Sequence, residues 1–478
     1  MSSAWRLGNR RRAAVALLVW GLWAAAGPAV AAEAPLPDDA PPPLMTLAAN
    51  DRILVLAPHP DDETLGCGGL LRAATARRLP VRVVFLTYGD AHEWAFFLQW
   101  KHPVFIPAAV RRMGMERHDE ALAATERLGV SPNDVLFLGY PDFGTLTIWH
   151  GHWGARPPFR SLLTRVRAVP YASAYRPGAA YKGEEIVRDL AQILREFHPT
   201  KVFVSHPADH HPDHRALYLF TAVALRAAAL TPPPTVYPYL IHFGRWPKPG
   251  GDHPEASMNP PPRLAAQVVW RAFPLTPEEM ARKRGAIQAH HSQYRFSAQA
   301  LLSFARANEL FGDFPLEVVP ASPEETVVPW VPAAAPSDDA LEQDHVALVG
   351  SEWRVTRAEG NDVVITLKLG RPVGELVTAS LFLFGARADQ PFEAMPKLRL
   401  TLRPVGVAVD DQRRPLPAKT VRVVRHLDGL TVWVPRAALG HPEQMFLSAR
   451  LFFSEMPLEW SAWHVLQLPP EPPPSSSS

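Results

Sequence analysis

Between residues 46 and 320 the chain alternates short apolar runs with stretches of helical periodicity, and this alternation constrains the fold more than any other feature. The stretches of helical period include Arg117–Leu128 and Glu184–Phe197. The apolar runs have the length and character of strands buried on both faces, and they are Ile53–Ala57, Val81–Thr87, Val135–Gly139 and Lys201–Ser205. Strands that alternate with helices favour an α/β fold with a doubly wound, mostly parallel sheet of the Rossmann type.

The chain beyond residue 342 shows only strand and turn patterns. Apolar runs in residues 343–468 are separated by Gly, Asp and Pro, which is typical of an all-β sandwich domain. Residues 321–342 carry four prolines and no clear period, so we interpret them as a linker. Residues 469–478 are of low complexity and are predicted to be a disordered tail. Because domains with their own cores tolerate cleavage at exposed linkers, a chain that ends near Ala321 is expected to fold.

The N-terminus has the pattern of a secretory signal peptide. Arg6 and three consecutive arginines precede an apolar run of 14 residues and a small-residue site, so residues 1–31 are predicted to be removed. The run is shorter than the roughly 20 residues that span a bilayer, so no stable membrane span is expected after cleavage. Residues 32–45 form a proline-rich spacer. The mature protein is therefore expected to be exported, to the periplasm or the extracellular space.

Charge and cysteine content exclude several classes of function. The chain has 49 basic and 47 acidic residues, with no basic block beyond the leader, so the electrostatic surface of a nucleic-acid-binding protein is missing. The single cysteine, Cys67, excludes a disulfide framework and a cysteine-rich zinc module. The chemistry must therefore come from other residue types.

Two polar segments carry that chemistry, and each directly follows a predicted buried strand. The first is Pro58–Glu63, in which His59 and Asp62 are three residues apart across a tight turn and could converge on one ion. Imidazole nitrogen and carboxylate oxygen both suit zinc, and Asp61 between them is free to act as a base. The second is His206–Arg215, which holds four histidines. In open α/β sheets ligands bind at the carboxyl ends of the strands, where both segments are expected.

PHPDDE after one strand and HPDHR after a later one resemble the LmbE-like, or PIG-L, family of zinc-dependent deacetylases. The resemblance covers about residues 50–295. It continues through LTYGD at 86–90, RxxE at 117–120, LGYPD at 138–142, Lys283 and HxSQ at 290–293. It implies an LmbE-like fold for 46–320 and removal of the acetyl group from the 2-amino position of an N-acetylglucosamine unit. One departure is the aromatic-rich insertion between Asp142 and Glu184, which leaves the small glucosaminyl substrates of the family in question.

The resemblance also assigns roles to residues of this chain. It implies that the zinc ligands are His59, Asp62 and His214 and that Asp61 is the general base. His211 would be the second acid or the oxyanion-stabilising group. Asp213 would orient it. Ferrous iron also accepts two histidines and one carboxylate, so the ligand types leave zinc and iron open.

Two further polar residues are candidates for substrate binding. Arg117 either lies at the mouth of the site or forms an exposed ion pair with Glu120 on the same helix. Asp142 either binds a sugar hydroxyl or caps a turn. The function expected is a zinc-dependent hydrolase of an N-acetylated sugar or glycan. The alternatives are an amidase acting on a non-sugar amide, such as a thiol conjugate, and a non-catalytic carbohydrate-binding protein.

Overall fold

A computed structural model gives the structure of residues 42–471, except 92–105, 334–350, 358–361, 371–376, 454–455 and the single positions 245, 315, 323, 332 and 404. The predicted signal peptide and most of the proline-rich spacer and the tail lie outside the described residues. Among the helices of the described part, none is both long and apolar enough to cross a membrane.

Residues 53–312, which we call the α/β region, form a seven-stranded sheet with helices between its strands. Its strands are β1 (Ile53–Ala57), β2 (Val81–Phe85), β3 (Val135–Phe137), β4 (Lys201–Ser205), β5 (Thr235–Tyr239), β6 (Trp270–Pro274) and β7 (Asn308–Gly312). The helices are α1 (Asp62–Ala76), α2 (Pro107–Arg127), α3 (Thr145–Gly151), α4 (Gly183–Phe197), α5 (Pro212–Ala228), α6 (Pro262–Ala265), α7 (Pro277–Ile287) and α8 (His291–Leu302).

The order of strands in this sheet is β3-β2-β1-β4-β5-β7-β6. The pairs from β3 to β5 are parallel, and β7 runs antiparallel to both of its neighbours. All five residues of β1 are buried, which explains why its sequence is apolar without alternation. The predicted α/β fold with a mostly parallel sheet is confirmed.

Residues 317–467, which we call the β-rich region, contain strands in two further sheets. The strands are β8 (Glu317–Val318), β9 (Thr326–Pro329), β10 (Glu352–Arg357), β11 (Asp362–Lys368), β12 (Val377–Ala386), β13 (Lys397–Leu402), β14 (Val407–Asp411), β15 (Arg414–Leu416), β16 (Arg422–His426), β17 (Gly429–Pro435), β18 (Gln444–Phe453), β19 (Met456–Trp460) and β20 (His464–Gln467). One sheet has the order β16-β17-β11-β10-β9, and the other has the order β15-β14-β13-β12-β18-β20-β8 with β19 beside β18. All pairs except β20 with β8 are antiparallel, so the predicted β-rich C-terminal region is confirmed.

The packing of these sheets as a sandwich stays a prediction, although one hydrophobic cluster contains residues of both, such as Ile365 and Leu381. The domain boundaries also stay a prediction. The segment predicted to be a linker contains β9, which pairs with β10. Part of that segment therefore belongs to the β-rich region.

The α/β region and the eight-stranded sheet share a buried aromatic cluster, which we call the interface cluster. Trp149 of α3 lies at its centre and is fully buried. Its ring centroid is 5.4–5.7 Å from the centroids of five rings outside the insertion, those of Phe220, Phe384, Phe392, Phe446 and Trp463. Phe384 and Phe446 pair in register on β12 and β18. The aromatic residues of the insertion thus join the two halves of the chain through their cores.

Candidate metal centre

The two polar segments meet because their strands are neighbours. β1 and β4 pair in parallel, with Val55 opposite Phe203, so the residues that follow each strand emerge at the same edge of the sheet. The first segment turns sharply into α1 at Asp61, whose φ of 125° is rare for a residue with a side chain. The turn is held by the backbone N–H of Asp61, which donates to Glu63 Oε2 over 2.9 Å.

One carboxylate oxygen lies between the two histidines that the resemblance names as ligands. Asp62 Oδ2 is 3.1 Å from His59 Nδ1 and 3.1 Å from His214 Nε2. All three residues are buried, with exposed fractions of 6% for His59, 1% for Asp62 and 0% for His214. Ligands of a tetrahedral zinc ion, each about 2.0–2.2 Å from the metal, lie about 3.3–3.5 Å apart. The observed spacings are close to that value.

Asp62 and His214 are close to each other, but their geometry is not that of a hydrogen bond. His214 Nε2 is buried and makes no hydrogen bond within the described structure, despite its short distance to the carboxylate. Two polar atoms that are close, buried and not directed at each other are expected where both point at a shared third atom. The donor set of two imidazole nitrogens and one carboxylate oxygen fits zinc and also iron.

The outer nitrogen of each histidine faces another carboxylate. His59 Nε2 is 3.2 Å from Asp142 Oδ1 and 3.4 Å from Asp213 Oδ2. His214 Nδ1 is 3.1 Å from Asp209 Oδ2. Metal-binding histidines usually offer their second nitrogen to such a carboxylate, which fixes the orientation of the ring. Asp142 therefore contacts a proposed ligand histidine, in addition to accepting the Ala91 N–H over 2.9 Å.

Asp209 was missed by the sequence reasoning, although it lies within the second segment. Its carboxylate also accepts the backbone N–H groups of His211, Ile241 and His242 over 2.8–3.0 Å. Although burial acts in the opposite direction, the charge of His214 and these hydrogen bonds hold the pKa of Asp209 far below the usual range of a carboxyl group. The signal that could have identified it is an acid between histidines that all follow one strand.

Arg117 lies beside the proposed base. Its Nη2 is 3.3 Å from Asp61 Oδ2, and the guanidinium also donates to the carbonyl oxygens of Pro60 and Gly89 over 2.5 and 2.8 Å. Burial raises the pKa of Asp61 to about 6, and the Arg117 charge opposes that rise. Glu120 instead accepts the N–H and O–H of Ser292, both over 2.7 Å. Arg117 is therefore buried next to Asp61 and does not form the exposed pair with Glu120.

Asp213 contacts His211 through its backbone N–H and not through its carboxylate. The Asp213 N–H donates to His211 Nδ1 over 3.2 Å, while the carboxylate oxygen is 4.0 Å from that nitrogen. The carboxylate accepts from the N–H groups of Phe143 and Thr145 over 2.6 and 3.1 Å. Because Nδ1 of His211 accepts a hydrogen bond, the neutral ring carries its hydrogen on Nε2 and can donate it.

A third strand adds a histidine that the sequence reasoning did not select. His242 follows β5, the strand next to β4, and its ring centroid is 4.7 Å from that of His214 and 5.3 Å from that of His211. Asp62, His214 and His242 can each offer a ligand atom within 4.8 Å of the others. His242 is exposed, so it lies on the solvent side of the centre. The proximity of His242 to the centre depends on β5 lying beside β4, which no local sequence pattern specifies.

Part of the chain is similar to known proteins. Residues 54–225 match the family model described as PIG-L, GlcNAc-PI de-N-acetylase. A deacetylase of 1D-myo-inositol 2-acetamido-2-deoxy-α-D-glucopyranoside from Saccharopolyspora erythraea is 32% identical over 203 residues, which are 39% of this chain and 57% of that protein. A similar deacetylase from Actinosynnema mirum is 29% identical and is 59% covered. The chain thus matches somewhat under three-fifths of the length of these two relatives.

Among solved structures, N,N'-diacetylchitobiose deacetylase from Pyrococcus horikoshii matches 55% of this chain and 82% of its own, with 19% identity and a TM-score of 0.34. The family match spans the strands β1 to β4 and both polar segments. The two curated relatives are likewise named as deacetylases. The resemblance seen in the sequence is therefore confirmed for this part of the chain, in which residues 54–225 match the PIG-L, or LmbE-like, family model.

Proposed function

We propose that this protein is an exported, zinc-dependent deacetylase that hydrolyses the acetamide of an N-acetylglucosamine-type sugar or glycan. The observation that carries the proposal is the position of Asp62 Oδ2, 3.1 Å from both His59 Nδ1 and His214 Nε2, with a second carboxylate behind each ring. The family match and the names of the curated relatives support the reaction and the class of sugar. The proposal treats His59, Asp62 and His214 as the metal ligands.

A metal ion bound there would act as a Lewis acid on the amide carbonyl and would make a water molecule easier to deprotonate. The residues of the chain supply the remaining steps. Asp61 takes the proton from the attacking water as the general base, held in place by Arg117. His211 donates from Nε2 to the oxygen on which negative charge develops, because its Nδ1 is occupied by the Asp213 N–H. One such donor is commonly worth about 3–4 kcal/mol.

The two alternative functions predict different results. A non-catalytic carbohydrate-binding protein has no need for a carboxylate that is positioned beside the ligands without binding the metal, and Asp61 is such a carboxylate. An amidase of a non-sugar amide would use the same metal centre on another substrate. Acetate release from N-acetylglucosamine, chitooligomers and cell-wall glycans, measured with purified chain and with the Asp61→Asn variant, separates these cases. Acetate from none of these sugars, by a metal-loaded protein, would refute the proposal.

Export is proposed from the leader pattern in residues 1–31, which lie outside the described residues. The N-terminal residue of the protein recovered outside the cytoplasm tests it. We expect a start near Ala32. A full-length, cytoplasmic product would contradict it.

A further inference from the structure

Four arginines lie near one histidine where the α/β region meets the eight-stranded sheet. We call Arg215, Arg399, Arg413 and Arg450 the arginine cluster. Arg450 Nη2 is 3.1 Å from Nε2 of His150, near the end of α3. Arg413 Nε lies 3.8 Å from the position that a Cβ on the next residue, Gly151, would take. Burial and then the charges of all four arginines hold the pKa of His150 well below its usual value, so the four act on the same place.

The strand register brings two of these side chains together. Arg399 of β13 is paired with Phe382, and Arg450 of β18 is paired with Ser380, so both flank β12 on the same face of the sheet. Arg399 Nη2 also donates to Ser380 Oγ over 3.3 Å, toward Arg450. The two guanidinium groups therefore converge over β12.

Arg215 reaches the same place from α5. The guanidinium carbons of Arg450 and Arg215 lie 3.6 and 4.7 Å from the ring centroid of Trp460. Cation–π contacts of this kind offset part of the cost of burying a charge. They supply no negative charge, and the two arginines still repel each other.

Within the described part of the chain, no member of the arginine cluster forms an ion pair with a carboxylate. The acids that act on Arg215 are Asp209 and Asp213, which already bind the histidines of the metal centre. Asp410, paired with Arg399 in the register, accepts the backbone N–H of Arg413 over 2.8 Å. Arg215 is buried and Arg450 is half-buried. Because unpaired charge that is withdrawn from water is unfavourable, an anion that completes the cluster would stabilise it.

The cluster is open to solvent and is close to the metal centre. Arg399 and Arg413 are exposed, and Arg450 is half-buried. Arg215 follows the proposed ligand His214 directly. The other connection is α3, which begins at Thr145, bonded to Asp213, and carries His150 five residues later, about 8 Å along the helix axis. A ligand bound here is thus near the reacting centre but does not occupy it.

We propose that the arginine cluster binds a carboxylate or phosphate group of the substrate, so that the protein acts on an acidic N-acetylated sugar or glycan. This inference rests on the proposed function for the identity of the substrate, but not for the binding of the anion. Guanidinium groups match both oxyanions in a planar, paired geometry, which a neutral sugar does not use. The four arginines come from both halves of the chain, which gives the β-rich region a role in selecting the substrate.

Calorimetry of the full-length, metal-loaded protein with inorganic phosphate tests the binding of the anion. Arg399→Gln should weaken phosphate binding at least about tenfold, since a hydrogen bond to a charged group is worth more than 1.4 kcal/mol. Arg450→Gln should weaken phosphate binding to a similar extent. Because Arg399 is exposed, its replacement should leave the core of the protein intact. Arg422→Gln is the matched control, because Arg422 stacks 3.6 Å from Trp433 in the other sheet. Metal content must be equal in all variants, since a metal ion also binds phosphate.

The source of the charge is tested with N-acetylmuramic acid, N-acetylglucosamine 6-phosphate and neutral N-acetylglucosamine. Tighter binding of either acidic sugar than of the neutral sugar, lost in Arg399→Gln, would support the proposal and identify the group as carboxylate or phosphate. Equal phosphate affinity in wild type, Arg399→Gln and Arg450→Gln would overturn it. If binding depends on the arginines but no acetate is released, the proposed anion site is supported and the proposed deacetylase activity is refuted. If acetate is released but binding does not depend on the arginines, the proposed deacetylase activity is supported and the anion site is refuted.

Discussion

Replacement of Trp149 by alanine should destabilise the protein and weaken the metal centre together. Trp149 is fully buried, and outside the insertion its ring contacts five aromatic side chains, four of which belong to the β-rich region: Phe384, Phe392, Phe446 and Trp463. Removal of a buried tryptophan side chain costs about 3–5 kcal/mol. The variant Trp149→Ala leaves a large cavity between the two halves of the chain, so we expect a loss near the upper end of that range.

Urea unfolding followed by circular dichroism measures this loss. With a slope of about 3 kcal/mol per molar urea, the midpoint should fall by about 1.5 M. Trp433→Ala is the matched control, because Trp433 is half-buried and its ring stacks on Arg422 away from the interface cluster. Its midpoint should move by less than half as much. Equal shifts in the two variants would refute the view that the interface cluster joins the two cores.

The link to the metal centre runs through α3. Trp149 and Thr145 lie on this helix, and Thr145 donates through its backbone N–H to Asp213 Oδ1 over 3.1 Å. The same carboxylate contacts His59. Trp149→Ala should therefore release its metal to a chelator faster than wild type below the unfolding transition. Trp433→Ala should not.

Three other outcomes are expected. Asp61→Asn should keep its metal and lose activity by a factor of about 100 to 10,000, as measured by metal analysis and acetate release, and loss of the metal would show that Asp61 is itself a ligand. His242→Ala should increase the rate at which a chelator removes the metal by about tenfold, while His441→Ala, an exposed histidine in the β-rich region, should leave the rate unchanged; equal rates would exclude His242 from the centre. A chain that ends at Ala321 should aggregate because it exposes Trp149 and Phe220, and a soluble, metal-containing truncated protein would contradict this.

The sequence predicted the parts of the fold whose residues are buried by their own sheet. β1, β2 and β4 were found because strands covered on both faces are mostly apolar. β7 was missed because it contains Asn308 and Glu309, although all five of its residues are buried. Glu309 is accommodated by hydrogen bonds from two backbone N–H groups of α1 and from Lys283, over 2.7–2.9 Å. Such long-range pairing leaves no local pattern.

The candidate site was predictable where its residues follow strands in two recognisable segments. His242 was not, because its contribution depends on which strand lies beside β4. The aromatic residues of the insertion gave no indication of their partners, since Trp149 and Trp153 could equally have lined a sugar site. The structure places them in the interface cluster or beside it. The expectation that the two regions fold separately is therefore not what this packing favours.

The central claim is that His59, Asp62 and His214 hold a metal ion, and the metal content of purified protein tests it most directly. Mass spectrometry of the metals in wild type should give about one zinc or iron per chain. His214→Ala should lose most of it, because one of three ligands is removed, while Arg422→Gln should keep it in full. Full occupancy in His214→Ala, or no metal in wild type under conditions where it is active, would contradict the account.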